Sequence, residues 1–181
     1  MKTPSRYWLM KSEPHEFSIQ DLSKSVVTQW DGIRNYQARN FLRDEVQPGD
    51  AVLFYHSNTP DNGVAGLARV IRGAYPDDRA HDPGDPLFDP KSSPQKPRWF
   101  QVDLEFVKRF RGVLPLSLIR KTPGLKDMVL LRNPRLSVQP VRKKEWDISC
   151  AWRKIWRPKN ERPRVRMDAP CRTGSPNFSG T

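Results

Sequence analysis

The chain has 181 residues, of which 36% are hydrophobic, so it is long enough for one domain with a core of ordinary size. Lys and Arg number 32 against 20 Asp and Glu, and the net charge of +12 attracts polyanions, of which nucleic acid is the commonest. The sequence has no apolar run near the roughly 20 residues of a membrane span, no apolar signal segment at its start and only two cysteines. We therefore expect neither membrane insertion nor secretion, and neither a disulfide framework nor a zinc site.

The first half of the chain predicts strands and short helices. Ser18 is a good N-cap, and Ala38, Phe41 and Leu42 share one helical face, which indicates two helices. The aromatic run that ends at Pro14 and two largely apolar runs indicate strands. The predicted elements are a strand over 6–12, helices over 18–24 and 35–45, and strands over 51–56 and 64–71.

The second half begins with a long proline-rich loop. Residues 75–97 hold six prolines and five aspartates, which permit little regular structure. The elements predicted after the loop are a strand over 99–110, a helix over 114–119, short strands over 128–131 and 136–138, and a helix over 142–152. This irregular order of strands and helices indicates an α+β fold rather than a doubly wound parallel sheet.

The last residues differ in composition from the rest. Residues 153–181 carry eight basic and two acidic side chains, four prolines and no apolar periodicity. They account for +6 of the net charge of +12, so residues 1–152 carry the other +6. We predict a single domain over 1–152 and a disordered, basic, Pro/Arg-rich tail over 153–181.

Signals of catalysis are weak. None of the three histidines stands at metal-ligand spacing from another His, Cys or carboxylate, and the chain has neither a phosphate-binding loop nor a nucleophile-elbow motif. Lys11, Glu13 and Ser57 are candidates for an acid/base cluster, although a solvated strand end is the simpler explanation. We expect no metal and no cofactor.

The segment 30–40 is a candidate site for a flat heterocycle. Trp30 precedes an Asp-Gly turn and a predicted helix. The polar side chains beside it are Asp31, Arg34, Asn35, Gln37, Arg39 and Asn40. In such a site the aromatic ring stacks on a base while Asn or Asp pairs with the polar edge of the base. A tryptophan that only fills the core is the alternative.

Two predicted strands end in polar side chains. The candidate ligand-binding residues at these strand ends are Lys11, Ser12 and Glu13, and Tyr55, His56, Ser57 and Asn58. Polar groups at the end of a sheet are suited to contact a ligand, and an ordinary hairpin rim is the alternative.

Several segments together resemble the EVE domain family. They are Tyr7-Trp-Leu-Met-Lys-Ser-Glu-Pro14, Trp30-Asp-Gly-Ile-Arg-Asn-Tyr-Gln-Ala-Arg-Asn40, Phe54-Tyr-His-Ser-Asn58, Gly63-Val-Ala-Gly66, Phe88-Asp-Pro90, Pro97-Arg-Trp99 and Arg135-Leu-Ser-Val-Gln-Pro140. The resemblance extends over residues 6–148. It implies a PUA-like fold, which is a strongly bent, mostly antiparallel β-barrel with short helices packed around it.

EVE domains are similar to YTH domains, which bind methylated adenine in RNA, and this similarity implies an aromatic cage. Trp30 looks like the first wall of the cage, and Lys11-Ser12 like the strand end beneath the base. The second wall would come from the proline-rich loop, where Tyr75 and Phe88 are the available aromatics. Phe88 is preferred because it belongs to the Phe-Asp-Pro motif.

Hydrogen bonds must supplement stacking in such a cage. Stacking contributes about 1–3 kcal/mol per base, whereas extruding a nucleotide costs a few kcal/mol. The expected hydrogen-bonding groups are Ser57, Asn58, Asn35 and the backbone at Asp31-Gly32. The expected phosphate-binding residues are Arg34, Arg39 and Arg43. An ion pair between Arg34 and Asp31 is the alternative role of Arg34.

Together these observations favour a non-catalytic module that binds a modified base, such as methylated or hydroxymethylated cytosine or methyladenine, flipped out of DNA in preference to RNA. The alternatives are an RNA-binding PUA-like module acting on tRNA or rRNA, and a small-molecule-binding or hydrolytic enzyme that uses Lys11, Glu13 and Ser57. We expect a monomer without membrane contact. It would lie in the cytoplasm with the nucleoid of a bacterium, or in the nucleus of a eukaryote.

Overall fold

A computed structural model describes residues 4–155, with side chains as far as residue 152. The strands are β1 (Tyr7–Ser12), β2 (Val27–Trp30), β3 (Ala51–His56), β4 (Gly63–Pro76), β5 (Phe100–Pro115) and β6 (Val138–Val141). The helices are α1 (Ile19–Ser25), α2 (Tyr36–Asp44), α3 (Leu116–Lys121), α4 (Val129–Arg132) and α5 (Lys143–Ile155), with one 3-10 turn at Asp78–His81. None of the helices in this range is long and apolar enough to cross a membrane.

The six strands form one sheet in the order β2-β5-β4-β3-β1-β6. The pairing of β1 with β3 is parallel, and the other pairings are antiparallel. The long strands β4 and β5 shift register at four places along their pairing. Such irregularities bend a strand and increase its local twist.

Both faces of the sheet are covered. Trp8 of β1 and Phe54 of β3 pack into one hydrophobic cluster, whereas Leu9 and Leu53, one residue along each strand, pack into a second cluster. The first cluster includes side chains from α1, α2 and β2, and the second includes side chains from α3, α4 and α5. Since successive side chains of a strand point to opposite faces, the central strands lie between two cores.

Helices α1 and α2 begin at the predicted caps. The Ser18 hydroxyl accepts a hydrogen bond from the Asp21 N–H at 3.2 Å, and the Asp21 carboxylate accepts one from the Ser18 N–H at 3.0 Å, which forms a capping box. The Asn35 Oδ1 accepts a hydrogen bond from the Ala38 N–H at 3.0 Å. Both predicted helices are therefore confirmed.

The predicted α+β class and the bent, mostly antiparallel sheet are confirmed, with one difference in closure. The predicted barrel is an open sheet in residues 4–155, because β2 and β6 lie at its two edges.

Some predicted elements differ from the structure. The strand predicted over 128–131 is wrong, because this apolar run forms the short helix α4, which buries Leu130. The strand predicted over 136–138 instead starts at Val138, and β2 has no counterpart among the predicted strands. The predicted tail over 153–181 lies almost wholly outside the described residues, apart from the last turn of α5.

Candidate functional site

The ends of β1 and β3 lie side by side because the two strands are parallel. Their register pairs Ser12 with His56, so the residues that follow each strand meet. The Asn58 side-chain amide donates a hydrogen bond to Glu13 Oε2 at 2.8 Å, and the Ser57 hydroxyl donates one to the Ser12 carbonyl at 3.3 Å. The two polar strand ends predicted from the sequence are therefore joined into one edge.

An open cleft of about 1000 Å³ lies at this edge. Its walls come from the end of β1, from β2 and the loop to α2, from residues 57–58, from residues 86–87 of the proline-rich loop and from residues 134–137. The predicted ligand-binding residues that line it are Lys11, Ser12, Glu13, Trp30, Asp31, Asn35, Ser57 and Asn58. Among the predicted phosphate-binding residues, Arg34 lines it.

Trp30 is both a core residue and a lining residue of the cleft. Its side chain is only 6% exposed, and its ring packs edge-on against Phe54 with the ring centroids 5.4 Å apart. Its Nε1 is buried and has no hydrogen-bond partner among residues 4–155. The indole therefore forms part of the floor of the cleft, and it is too enclosed to be a free-standing cage wall.

Two predicted residues at the end of β3 lie outside the cleft. Tyr55 is buried in the second hydrophobic cluster, on the opposite face of the sheet from Trp30. The His56 Nε2 accepts a hydrogen bond from the Ile19 N–H at 3.1 Å, and burial lowers the pKa of this histidine. Tyr55 thus has a packing role, and His56 supports the first turn of α1.

The proline-rich loop lines the cleft with aliphatic side chains, whereas an aromatic side chain was predicted. Phe88 is 38% exposed and does not line the cleft. Tyr75 lies outside it as well, and its hydroxyl donates a hydrogen bond to Asp103. Pro86 and Leu87 form the wall in their place. The loop is the predicted one, whereas the predicted aromatic second wall is replaced by an aliphatic one.

Asp77 holds two walls of the cleft together, and sequence reasoning missed it. Its carboxylate is fully buried and accepts hydrogen bonds from Arg34 Nη1 at 2.7 Å and from the Gly32 N–H at 3.1 Å. The guanidinium of Arg34 also donates to the Leu87 carbonyl through Nε and Nη2, at 3.0 and 2.8 Å. Arg34 therefore forms an internal ion pair, which was the alternative to phosphate binding, but its partner is Asp77 and not the predicted Asp31.

A second ion pair closes the same side of the cleft. Arg79 lies 3.4 Å from Asp31 and 2.8 Å from Asp85. Burial raises the pKa of Asp31, and the nearby Arg79 charge opposes that effect. The carboxylates on this side are thus matched by guanidinium groups of the protein itself.

The other two predicted phosphate-binding residues lie on α2, outside the cleft. Arg39 Nη1 donates a hydrogen bond to the Arg98 carbonyl at 2.8 Å, and the Arg39 guanidinium lies 5.0 Å from the Tyr36 ring centroid. Arg43 pairs with Asp44 at 2.6 Å. Their predicted contacts with phosphate stay predictions.

Lys11 lines the cleft at the sheet edge and has no carboxylate partner in the described residues. Its Nζ donates a hydrogen bond to the Pro134 carbonyl at 2.6 Å and lies 5.6 Å from the centre of the Tyr55 ring. Burial lowers the pKa of Lys11 from 10.5 to about 8. The neighbouring Arg135 and Ser137 also line the cleft. They lie in the segment 135–140 that carried part of the family resemblance, which was the available signal for them.

The comparisons with known proteins agree with this architecture. The protein-family model of the EVE domain matches residues 6–151. The chain belongs to the EVE domain family. This EVE domain is 41% identical to thymocyte nuclear protein 1 of Homo sapiens over 166 residues, which cover 81% of this chain and 73% of that protein. The predicted family membership is therefore confirmed.

Solved structures extend the similarity to three dimensions. A hypothetical protein from Leishmania major is 48% identical, with a TM-score of 0.80, and the match covers 83% of this chain and 95% of that one. Human thymocyte nuclear protein 1, crystallised in complex with 5-methylcytosine-containing DNA, is 39% identical with a TM-score of 0.78. That match covers 83% of this EVE domain chain and 98% of the human chain.

Proposed function

We propose that this EVE domain is a non-catalytic module that binds DNA carrying a modified base, with the base in the cleft and 5-methylcytosine as the first candidate. The observation that carries the proposal is the complex of the human relative with 5-methylcytosine-containing DNA. Since 98% of that human chain is matched here at a TM-score of 0.78, nearly all of the DNA-bound structure has a counterpart in this chain.

The composition of the cleft supports an extruded base as its occupant. Trp30 and Leu87 offer apolar surface to a ring and its added methyl group, and Asn35, Ser57 and Asn58 offer polar groups to the edges of the ring. The cleft is open, so a nucleotide that enters it can stay attached to its strand. The net charge of +12 supplies sequence-independent attraction to the DNA backbone.

The three side chains that the enzymatic alternative requires form hydrogen bonds with other groups. Lys11, Glu13 and Ser57 all line the cleft, yet no hydrogen bond within residues 4–155 joins any two of them. Ser57 instead donates to the Ser12 carbonyl, and Glu13 accepts from Asn58. A nucleophile and its base are usually within hydrogen-bond reach of each other, so this arrangement favours a binding wall over a catalytic pair.

The test is a binding titration of the full chain by fluorescence anisotropy at one near-physiological salt concentration. The oligonucleotides would differ only in one central base, which is cytosine, 5-methylcytosine, 5-hydroxymethylcytosine, adenine or N6-methyladenine, each in DNA and in RNA. We expect 5-methylcytosine DNA to bind about tenfold more tightly than cytosine DNA, which is about 1.4 kcal/mol.

Two variants, one at the N-cap of α2 and one within α2, separate the cleft from the rest of the surface. Asn35→Ser keeps a side-chain oxygen to cap the helix but removes the amide group at the cleft. Asn40→Ser makes the same chemical change at an exposed position outside the cleft. We expect Asn35→Ser to reduce the preference for the modified base and Asn40→Ser to leave it intact.

Equal binding of the wild type to all oligonucleotides would contradict the proposal. A preference for RNA would support the alternative of an RNA-binding PUA-like module. The name of the human relative supports the predicted nuclear location in a eukaryotic cell, and the monomeric state stays a prediction.

A further inference from the structure

The cleft is lined by four cationic side chains, which are Lys11, Arg34, Arg79 and Arg135. Arg34 forms an ion pair with the buried Asp77, and Arg79 forms ion pairs with Asp31 and Asp85. The charges of these two guanidinium groups are therefore already compensated inside the protein. Any anion bound in the cleft would be attracted more strongly by the other two cations.

Arg135 has neither a hydrogen bond nor an ion pair nor a ring contact within residues 4–155, and its side chain is exposed. Lys11 is hydrogen-bonded at two points to the segment 134–137, which contains Arg135. Its Nζ donates to the carbonyl of Pro134, and its backbone N–H donates to the carbonyl of Ser137 at 2.9 Å. Lys11 is thus bonded to residues on either side of Arg135, which keeps the two cations close to each other at the cleft.

Lys11 lies in an environment that favours an incoming anion. Its ammonium group is partly desolvated, which lowers its pKa to about 8, and its hydrogen-bond acceptor is an uncharged carbonyl. The titratable groups nearby are Tyr55, whose pKa is raised to about 12 by burial, and Glu13, which is bonded to Asn58. No carboxylate within residues 4–155 forms an ion pair with Lys11, so a phosphate oxygen would be its first anionic partner there.

We propose that Arg135 and Lys11 form the phosphate-binding end of the cleft and hold the phosphodiester of the nucleotide whose base enters it. This proposal rests on the proposed function. It assigns the phosphate contact to Lys11 and Arg135, which have no carboxylate partner within residues 4–155. The sequence had predicted this contact for Arg34, whose guanidinium is bonded to Asp77 and Leu87. A guanidinium that contacts phosphate positions the nucleic acid and does not discriminate among bases.

The test compares Arg135→Ala with Arg132→Ala in the full chain. Arg132 is a matched control because it is also an exposed arginine nearby in sequence, it pairs with Asp127 at 2.7 Å and it does not line the cleft. Anisotropy titrations would use a duplex with one 5-methylcytosine and the same duplex with cytosine, at several salt concentrations. The slope of log K against log salt concentration counts the phosphates neutralised.

We expect Arg135→Ala to weaken binding to both duplexes by the same factor and to reduce the magnitude of the slope by about 0.9, the value for one phosphate contact. Arg132→Ala should leave the slope unchanged. The proposal is overturned if the two variants behave alike, or if Arg135→Ala weakens binding to the methylated duplex alone. If the wild type does not distinguish the duplexes, the proposed function fails, and the comparison of slopes still decides whether Arg135 contacts phosphate.

Discussion

Asp77→Ala removes a buried carboxylate that accepts hydrogen bonds from the Arg34 guanidinium and from the N–H groups of Gly32 and Arg79. Breaking a buried ion pair by removing one partner costs about 3–5 kcal/mol, since the other charge is left uncompensated. The Arg34 side chain is 22% exposed and keeps its two bonds to the Leu87 carbonyl, so water and the backbone relieve part of that cost. We therefore expect the free energy of unfolding to fall by about 3 kcal/mol.

The assay is equilibrium unfolding of the full chain in urea, followed by circular dichroism. Asp78→Ala is the matched control, because Asp78 is the next residue, is exposed, and its side chain forms no hydrogen bond or ion pair within residues 4–155. The control should change stability by no more than about 0.5 kcal/mol. A loss below about 1 kcal/mol for Asp77→Ala would refute the reasoning.

A double-variant cycle tests the ion pair itself. Arg34→Met removes the charge that Asp77 compensates, so the combination with Asp77→Ala leaves no orphaned guanidinium. The double variant should therefore lose less stability than the sum of the two single losses, by at least about 1 kcal/mol. Simple additivity would show that the two side chains do not stabilise each other.

Two further stability predictions concern single positions, Lys11 and Gly66. Because the pKa of Lys11 is about 8 in the folded state against an ordinary 10.5, its charged form is disfavoured by folding. Lys11→Met should raise the free energy of unfolding below pH 8 by about 1–2 kcal/mol, less than the full shift of pKa implies because solvent screens this half-buried charge. This gain should vanish as the pH rises from 8 to 10.5, and an equal gain at pH 7 and pH 10.5 would contradict the assignment. At Gly66 a Cβ would lie 2.5 Å from the Lys108 carbonyl oxygen, so Gly66→Ala should cost about 1–3 kcal/mol. Gly73→Ala on the same strand meets its first neighbour, Pro48, at 3.5 Å, and equal losses for the two variants in urea unfolding would refute the steric argument.

The elements that sequence alone predicts well are those with local causes. Helices α1 and α2 begin at Ser18 and Asn35 because each cap is made by a side chain and an N–H three residues later. By contrast, β2 is a four-residue edge strand with two exposed side chains, and it exists through its pairing with the distant β5. The run at 129–132 has the composition of a strand, yet tertiary packing selects a helix, since periodicity does not separate the two in so short a run.

The candidate site divides in the same way. The polar ends of β1 and β3 are visible in the sequence, and most of their side chains line the cleft. The pair of Arg34 with Asp77 spans 43 residues, and no local pattern marks Asp77 among the five aspartates of its loop. The same limit applies to the loop wall, where the family motif favours Phe88 but the fold brings Leu87 to the cleft.

The walls of the cleft come from distant parts of the chain: β1 pairs with β3, and Lys11 is hydrogen-bonded to a carbonyl 123 residues later. These parts therefore become available one after another during synthesis. Ribosomes make the chain from its N-terminus, so Lys11 is synthesised 123 residues before its hydrogen-bond acceptor, the carbonyl of Pro134. Contacts of such long separation also form slowly once the chain is released. A nascent chain that has not yet reached Pro134 therefore lacks the wall of the cleft that residues 134–137 form.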